Sequence, residues 1–290
     1  MLCKLLFLCF GGRYLINNNE KTITKIRGDW INNDIDEQAC IDFWNLFAAT
    51  QQDFKIPTYE NDSFLKILKK ENMLKVDGSS LDIGCGTGKY SFALSESFNE
   101  LVGIDISEDM LKIANDKASE LEISNVNFVC SKWQNFDVKE AGYDHKFDLV
   151  FAHMTPAISC ASSFEKMIEA SKGYCVMSKP VGRVDSISDK IMNYLGIKNN
   201  KLSSDAQVVY ALKLLKSQGY KPKIEYENQV WESQKPTELA TKMYINRAKQ
   251  NIHLSDEDEI ELTDFIKTLE KDGQIYEETN TLITTMYWKV

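Results

Sequence analysis

Apolar residues recur at helical spacing over residues 37–54, where Ala39, Phe43, Trp44, Phe47 and Ala48 line one face, and again over 61–71, with Phe64, Leu65, Ile67 and Leu68. Past residue 79 the period changes. Ser80-Leu81-Asp82-Ile83 reads as a short strand entering a glycine-rich turn, residues 90–97 as a helix, and 100–104 as a second strand. A helix over 108–121, strands over 126–130 and 147–152, a helix over 163–171 and a strand over 173–178 continue the alternation. Strands joined through helices run parallel and are covered on both faces, so the pattern predicts a doubly wound α/β fold. After Pro180 come helical stretches over 186–195 and 204–217, a strand over 222–231, helices over 236–250 and 255–269, and a β-rich end over 281–290. The stretch 182–217 is longer than a simple crossover requires and is the candidate for a substrate-covering insertion. These elements form one domain over 37–290, preceded by an N-terminal extension, 1–36.

A chain of 290 residues with 43% hydrophobic and 27% charged residues can bury one sizeable core with additions. The formal net charge of -9 opposes binding to a phosphate backbone, so nucleic acid is a poor candidate partner. The densest charge run, Asp256-Glu257-Asp258-Glu259, is acidic and suits the first turn of a helix. The seven cysteines are widely spaced without a C-x-x-C pair, which points to reduced thiols and a cytoplasmic protein rather than a disulfide framework or a zinc site. Residues 1–10 are apolar around Lys4 but fall well short of the ~20 residues that span a bilayer. No small-residue cleavage site follows them, so a strand or a disordered extension is the favoured reading over a signal peptide, and no membrane partner is expected. The sequence leaves the oligomeric state open.

The strongest chemical signal is Leu81-Asp82-Ile83-Gly84-Cys85-Gly86-Thr87-Gly88, a D-x-G-x-G-x-G run at the end of the first predicted strand. Glycines there allow a tight turn and let a ligand approach the backbone. Asp105 ends the next strand about 20 residues on, where a carboxylate can accept hydrogen bonds from both hydroxyls of a ribose. The spacing departs from the dinucleotide pattern G-x-G-x-x-G, because Lys89 stands where its third glycine belongs. Asp82, just before the loop, suits the cationic amino group of a methionine moiety better than an anionic pyrophosphate.

Together with Val102-Gly103-Ile104-Asp105-Ile106-Ser107-Glu108-Asp109-Met110-Leu111, this run closely resembles the class I S-adenosylmethionine-dependent methyltransferases. The resemblance covers the chain from about Trp44 onward and implies a seven-stranded, mostly parallel sheet of order 3-2-1-4-5-7-6 with its last strand antiparallel. It also implies that the backbone of Gly84, Cys85 and Gly86, with Gly88 closing the loop, lies against the methionine and ribose of S-adenosyl-L-methionine. By the same resemblance Asp105 holds the ribose hydroxyls and Ile106 and Met110 contact the adenine. The family often carries an acidic residue for the adenine amino group after the third strand, but this chain has Ser131-Lys132-Trp133. Lysine cannot accept that hydrogen bond, which moves the contact to Ser131, Trp133 or a backbone group. Trp133 is equally readable as core packing. The helix bearing Trp44 resembles the family segment that folds over the cofactor, or else buries its aromatics on the sheet.

The strand over 147–152 should end facing the transferred methyl group and delivers His153-Met154-Thr155-Pro156-Ala157-Ile158. The Met-Thr-Pro-Ala-Ile stretch resembles a bacterial subgroup of these methyltransferases. Methyl transfer from a sulfonium needs proximity, orientation and sometimes a base. His153 is the candidate base, with an ordinary pKa of ~6.5, whereas Asp148 reads as structural. His145, His153 and His253 lack metal-ligand spacing, so no metal is expected. The sequence therefore reads as an S-adenosylmethionine-dependent methyltransferase of a small molecule. A nicotinamide-dependent oxidoreductase, a non-catalytic S-adenosylmethionine-binding regulator and a protein methyltransferase are the alternatives.

Overall fold

A computed structural model describes residues 19–31, 36–197 and 203–290. The predicted start of the extension, 1–18, lies outside them. Among the described residues a seven-stranded sheet has the order β3-β2-β1-β4-β5-β7-β6. The strands are β1 (Ser79–Ile83), β2 (Glu100–Asp105), β3 (Val126–Cys130), β4 (Phe147–His153), β5 (Ser171–Asp185), β6 (Lys223–Pro236) and β7 (Gln274–Lys289). β1 to β5 pair in parallel, and β7 lies antiparallel to both β5 and β6. The expected order and the reversed last strand are therefore what the chain adopts. No helix of the described residues is long and apolar enough to cross a membrane.

The helices are α1 (Asn19–Asp29), α2 (Glu37–Ala48), α3 (Ser63–Lys70), α4 (Lys89–Ala93), α5 (Glu108–Glu120), α6 (Ala161–Glu169), α7 (Ser188–Tyr194), α8 (Ser204–Ser217), α9 (Thr237–Lys249) and α10 (Asp256–Lys267). Local chemistry starts several of them. Asp36 and Asp62 accept from the backbone N–H of Ala39 and Leu65, each at 2.9 Å, capping α2 and α3. The acidic run opens α10 behind a capping box between Ser255 and Asp258, which places four carboxylates against the positive end of the helix.

One face of the sheet packs against α1, α6 and α8 through Leu81, Val150, Met177, Phe164, Val208 and Trp288. Phe64, Leu68, Leu149, Phe151, Val176 and Tyr287 fill the other. The strand or disordered reading of residues 1–10 lies outside the described residues, while over 19–31 α1 and the Trp30 that follows it bring Ile26 and Trp30 into the first core, and Arg27 meets Glu165 at 2.7 Å. Asp148 accepts from the Ser79 N–H at 3.0 Å and from Lys75 Nζ at 2.6 Å, fastening the start of β4 to β1.

β5, β6 and β7 run well past the ends that their apolar patterns suggest. Their far halves form a three-stranded extension, interrupted by a bulge between Val181 and Val184, that supports α7, α9 and α10. These helices have a small core of their own, with Ile191, Ala240, Tyr244, Leu262, Ile266 and Ile275. α9 also packs against α2.

Candidate active site

β1 ends in a loop whose three glycines all have left-handed backbones: φ is +71° at Gly84, +54° at Gly86 and +77° at Gly88. Two of them are also required by neighbouring protein. A Cβ on Gly84 would overlap Thr155 Oγ1, and one on Gly88 would lie 2.7 Å from the Phe128 ring. A Cβ on Gly86 would meet nothing within 4 Å, so this glycine alone of the three faces open space.

Asp105 connects this loop to the next helix. Its Oδ2 accepts the Gly86 N–H at 2.8 Å and its Oδ1 accepts the Ser107 N–H at 2.9 Å. Burial raises its pKa, and the backbone donors of Ser107, Gly86 and Ile106 oppose that rise. Ser107 caps α5 by accepting from the Met110 N–H at 3.1 Å, and its hydroxyl donates to Asn45 Oδ1 at 2.6 Å. That bond ties α2 to the same corner. Behind the loop, Asp82 accepts from Ser91 Oγ at 2.8 Å. Burial, opposed by Ser91 and reinforced by the Asp105 charge, pushes Asp82 up to about 7. Cys85 is buried, and burial also raises its thiol, so it is a packed side chain and not a nucleophile.

Ile106 and Ser131 are half-buried beside Asp105, and the Ser131 N–H donates to the Asp105 carbonyl at 2.8 Å. Met110 is buried. Lys132, which stands where an acid was expected, pairs with Glu37 at 2.5 Å and so fastens the start of α2. Trp133 resolves in favour of packing: it is 2% exposed, stacks on Phe136 and donates its indole N–H to the Ser163 carbonyl at 2.9 Å. Its ring presents no free face to a ligand. Trp44 is half-buried on α2, edge-on to Phe43 and Phe47 with centroids 5.2 and 5.6 Å away, and none of the three joins a core beneath the sheet.

At the end of β4, His153 is wedged between the rings of Phe64 and Tyr90, with centroids 4.5 and 4.2 Å away. Burial drives its pKa down to about 3. This environment opposes protonation, so the ordinary imidazole pKa expected of His153 as a base is lowered by its surroundings. Met154 follows at φ +56°, held by its N–H to the Ser178 carbonyl at 3.0 Å, and turns the chain so that Thr155 meets Gly84.

The sequence reading missed Lys179, Asn45 and Thr155. Lys179 is 4% exposed, and its Nζ donates to the Thr155 carbonyl at 3.3 Å. Burial alone lowers its pKa to about 7. Strand parity could have flagged it, because Lys179 alternates with the buried Cys175 and Met177 and shares their face.

Residues 74–249, more than half of the chain, match the family model described as a methyltransferase domain. The chain belongs to the methyltransferase domain family. A demethylmenaquinone methyltransferase of Oceanobacillus iheyensis is 26% identical over 107 residues, which is 36% of this chain and 45% of that protein. A release factor glutamine methyltransferase of Buchnera aphidicola is 31% identical over 157 residues, 46% of this chain and 54% of that protein. This methyltransferase chain thus spans about half the length of the curated relatives it matches. A Haemonchus contortus phosphoethanolamine N-methyltransferase 2, solved with phosphomonomethylethanolamine and S-adenosylhomocysteine, aligns over 86% of this chain and 60% of its own with a TM-score of 0.50 and 19% identity. That likeness is one of fold. The family model by itself gives a methyltransferase domain.

Proposed function

We propose that this methyltransferase uses S-adenosyl-L-methionine to methylate a small molecule at the ends of β1, β2 and β4. The observation that carries the reading is Asp105: two backbone N–H groups, from the glycine loop and from the start of α5, hold its carboxylate beside the open side of Gly86. In this reading the carboxylate's remaining lone pairs accept from the ribose hydroxyls, and the backbone of Gly84, Cys85, Gly86 and Gly88 follows the cofactor chain. Asp82 keeps one oxygen on Ser91 and supplies negative potential for the methionine amino group. Ile106 and Met110 form the apolar side of the adenine site, with Ser131 and its backbone as the polar edge. Trp44 belongs to the covering helix, α2.

The cofactor supplies an activated methyl group, and the chain's part is to bind, orient and exclude water. The small-molecule reading is supported by the extra layer of α7, α9 and α10 and by the packing of α9 on α2, a layer that would narrow access for a folded protein substrate. Residues 182–217 contribute α7 to that layer, while α8 serves the core under the sheet.

Calorimetric titration with S-adenosylhomocysteine and separately with NAD tests the cofactor assignment. Asp105→Ala should weaken S-adenosylhomocysteine by about 1.5–3 kcal/mol, the range for a charge-assisted hydrogen bond. Unchanged affinity in a folded variant, or binding of NAD instead, would reject it.

A further inference from the structure

Two buried polar groups on one face of the sheet are left short of partners. Lys179 on β5 is paired across the strands with Thr284 on β7, which puts both side chains on the same face. The Thr284 hydroxyl is buried and has no hydrogen-bond partner among the described residues. The Lys179 amine makes one hydrogen bond, to the Thr155 carbonyl, and no carboxylate lies within ion-pair distance of it among the described residues. A structural lysine at this depth would be paired with a carboxylate, and a hydroxyl this deep would have an acceptor. Lys179 lies one residue from the glycine loop, because Thr155, whose carbonyl it meets, is also what fills the space beside Gly84, and Thr284 is its neighbour across the strands.

We propose that Lys179 and Thr284 form the subsite for the acceptor oxygen of a phenol- or enol-type substrate, and that Lys179 takes the proton from that oxygen as the methyl group is transferred. The inference rests on the methyltransferase reading above and deepens it. Thr284 donates a hydrogen bond to the oxygen, and the amine lone pair accepts its proton. The oxygen's electron pair forms the new O–CH3 bond while the S–CH3 bond breaks, leaving a methyl ether, S-adenosylhomocysteine and a lysine ammonium. A substrate amine would arrive as a cation and meet an amine with no carboxylate to receive it. An acidic hydroxyl fits this donor set, because its anion is what an ammonium and a hydroxyl stabilise together. Burial leaves Lys179 partly unprotonated at neutral pH, which suits a proton acceptor.

The test uses S-adenosylhomocysteine and 4-nitrophenol, whose ionised form absorbs visibly, with the wild type, Lys179→Met and Thr284→Val. All three proteins should bind S-adenosylhomocysteine equally, which shows that the cofactor site is intact. Wild type saturated with it should bind 4-nitrophenol, and the bound probe should ionise at a lower pH than the free probe. Lys179→Met should lose about ten-fold to a hundred-fold in probe affinity and all of the ionisation shift, the loss expected for a charge-assisted hydrogen bond. Thr284→Val should lose affinity by a smaller factor while keeping the shift. Equal probe binding by wild type and Lys179→Met, or no saturable probe binding by a wild type that does bind S-adenosylhomocysteine, overturns the subsite alone. A wild type that does not bind S-adenosylhomocysteine overturns the methyltransferase reading and the subsite with it.

Discussion

Replacing Lys179 by Met should stabilise the folded protein at neutral pH. The amine is 4% exposed, and its pKa falls from 10.5 to about 7 through burial alone. At about 1.4 kcal/mol per pH unit, that depression corresponds to about 4–5 kcal/mol of folding free energy lost when the group must be carried charged. This is a large share of the roughly 5–15 kcal/mol by which domains are stable. Between pH 7 and 10.5 the unfolded chain keeps a proton on this amine that the folded chain has released, so wild-type stability rises with pH across that window. Below pH 7 the cost is carried in full, and above 10.5 it vanishes. Met fills a similar volume without a charge, at the loss of one hydrogen bond to Thr155 worth about 1 kcal/mol. Urea unfolding at pH 7 should therefore show Lys179→Met more stable by about 3 kcal/mol, with most of that advantage gone by pH 10. The difference between the two proteins cancels the titration of every other group. A gap that stays constant from pH 7 to 10, or a less stable variant at pH 7, would refute the argument that this lysine is buried without a carboxylate.

Gly86→Val should abolish S-adenosylhomocysteine binding, since φ is +54° there and the new side chain would stand in the open space beside Asp105; normal calorimetric binding would show that the cofactor lies elsewhere. Trp133→Ala should cost about 3–5 kcal/mol in urea unfolding, as expected for a buried aromatic, with no specific effect on cofactor affinity. A stable variant with weakened binding would return this ring to the adenine site. For His153, NMR of the imidazole nitrogens should show a neutral ring from pH 5 to 8, because an imidazolium costs too much between Phe64 and Tyr90. Protonation near pH 6.5 would restore it as a candidate base.

The sequence by itself determined the order and type of the elements, because the change from helical period to short apolar runs reflects which faces must be buried. It also determined the glycine loop and Asp105, since positive φ and a carboxylate at a strand end are requirements of single positions. Helix starts were similarly local: Asp36, Asp62 and Ser255 each cap their own helix. Tertiary structure decided what depends on neighbours distant in the chain. The indole of Trp133 found the Ser163 carbonyl, the imidazole of His153 was enclosed between two rings, and Lys132 was taken up by Glu37 on α2. The far halves of β5, β6 and β7 were hidden for a related reason. Residues 228–234 are exposed or only partly buried, so their pairing with β7 comes from backbone hydrogen bonds that leave no mark on the apolar pattern. Lys179 combines both cases: its parity along β5 is written in the sequence, but its isolation from any carboxylate is a property of the assembled sheet, where desolvation and not residue type sets the chemistry.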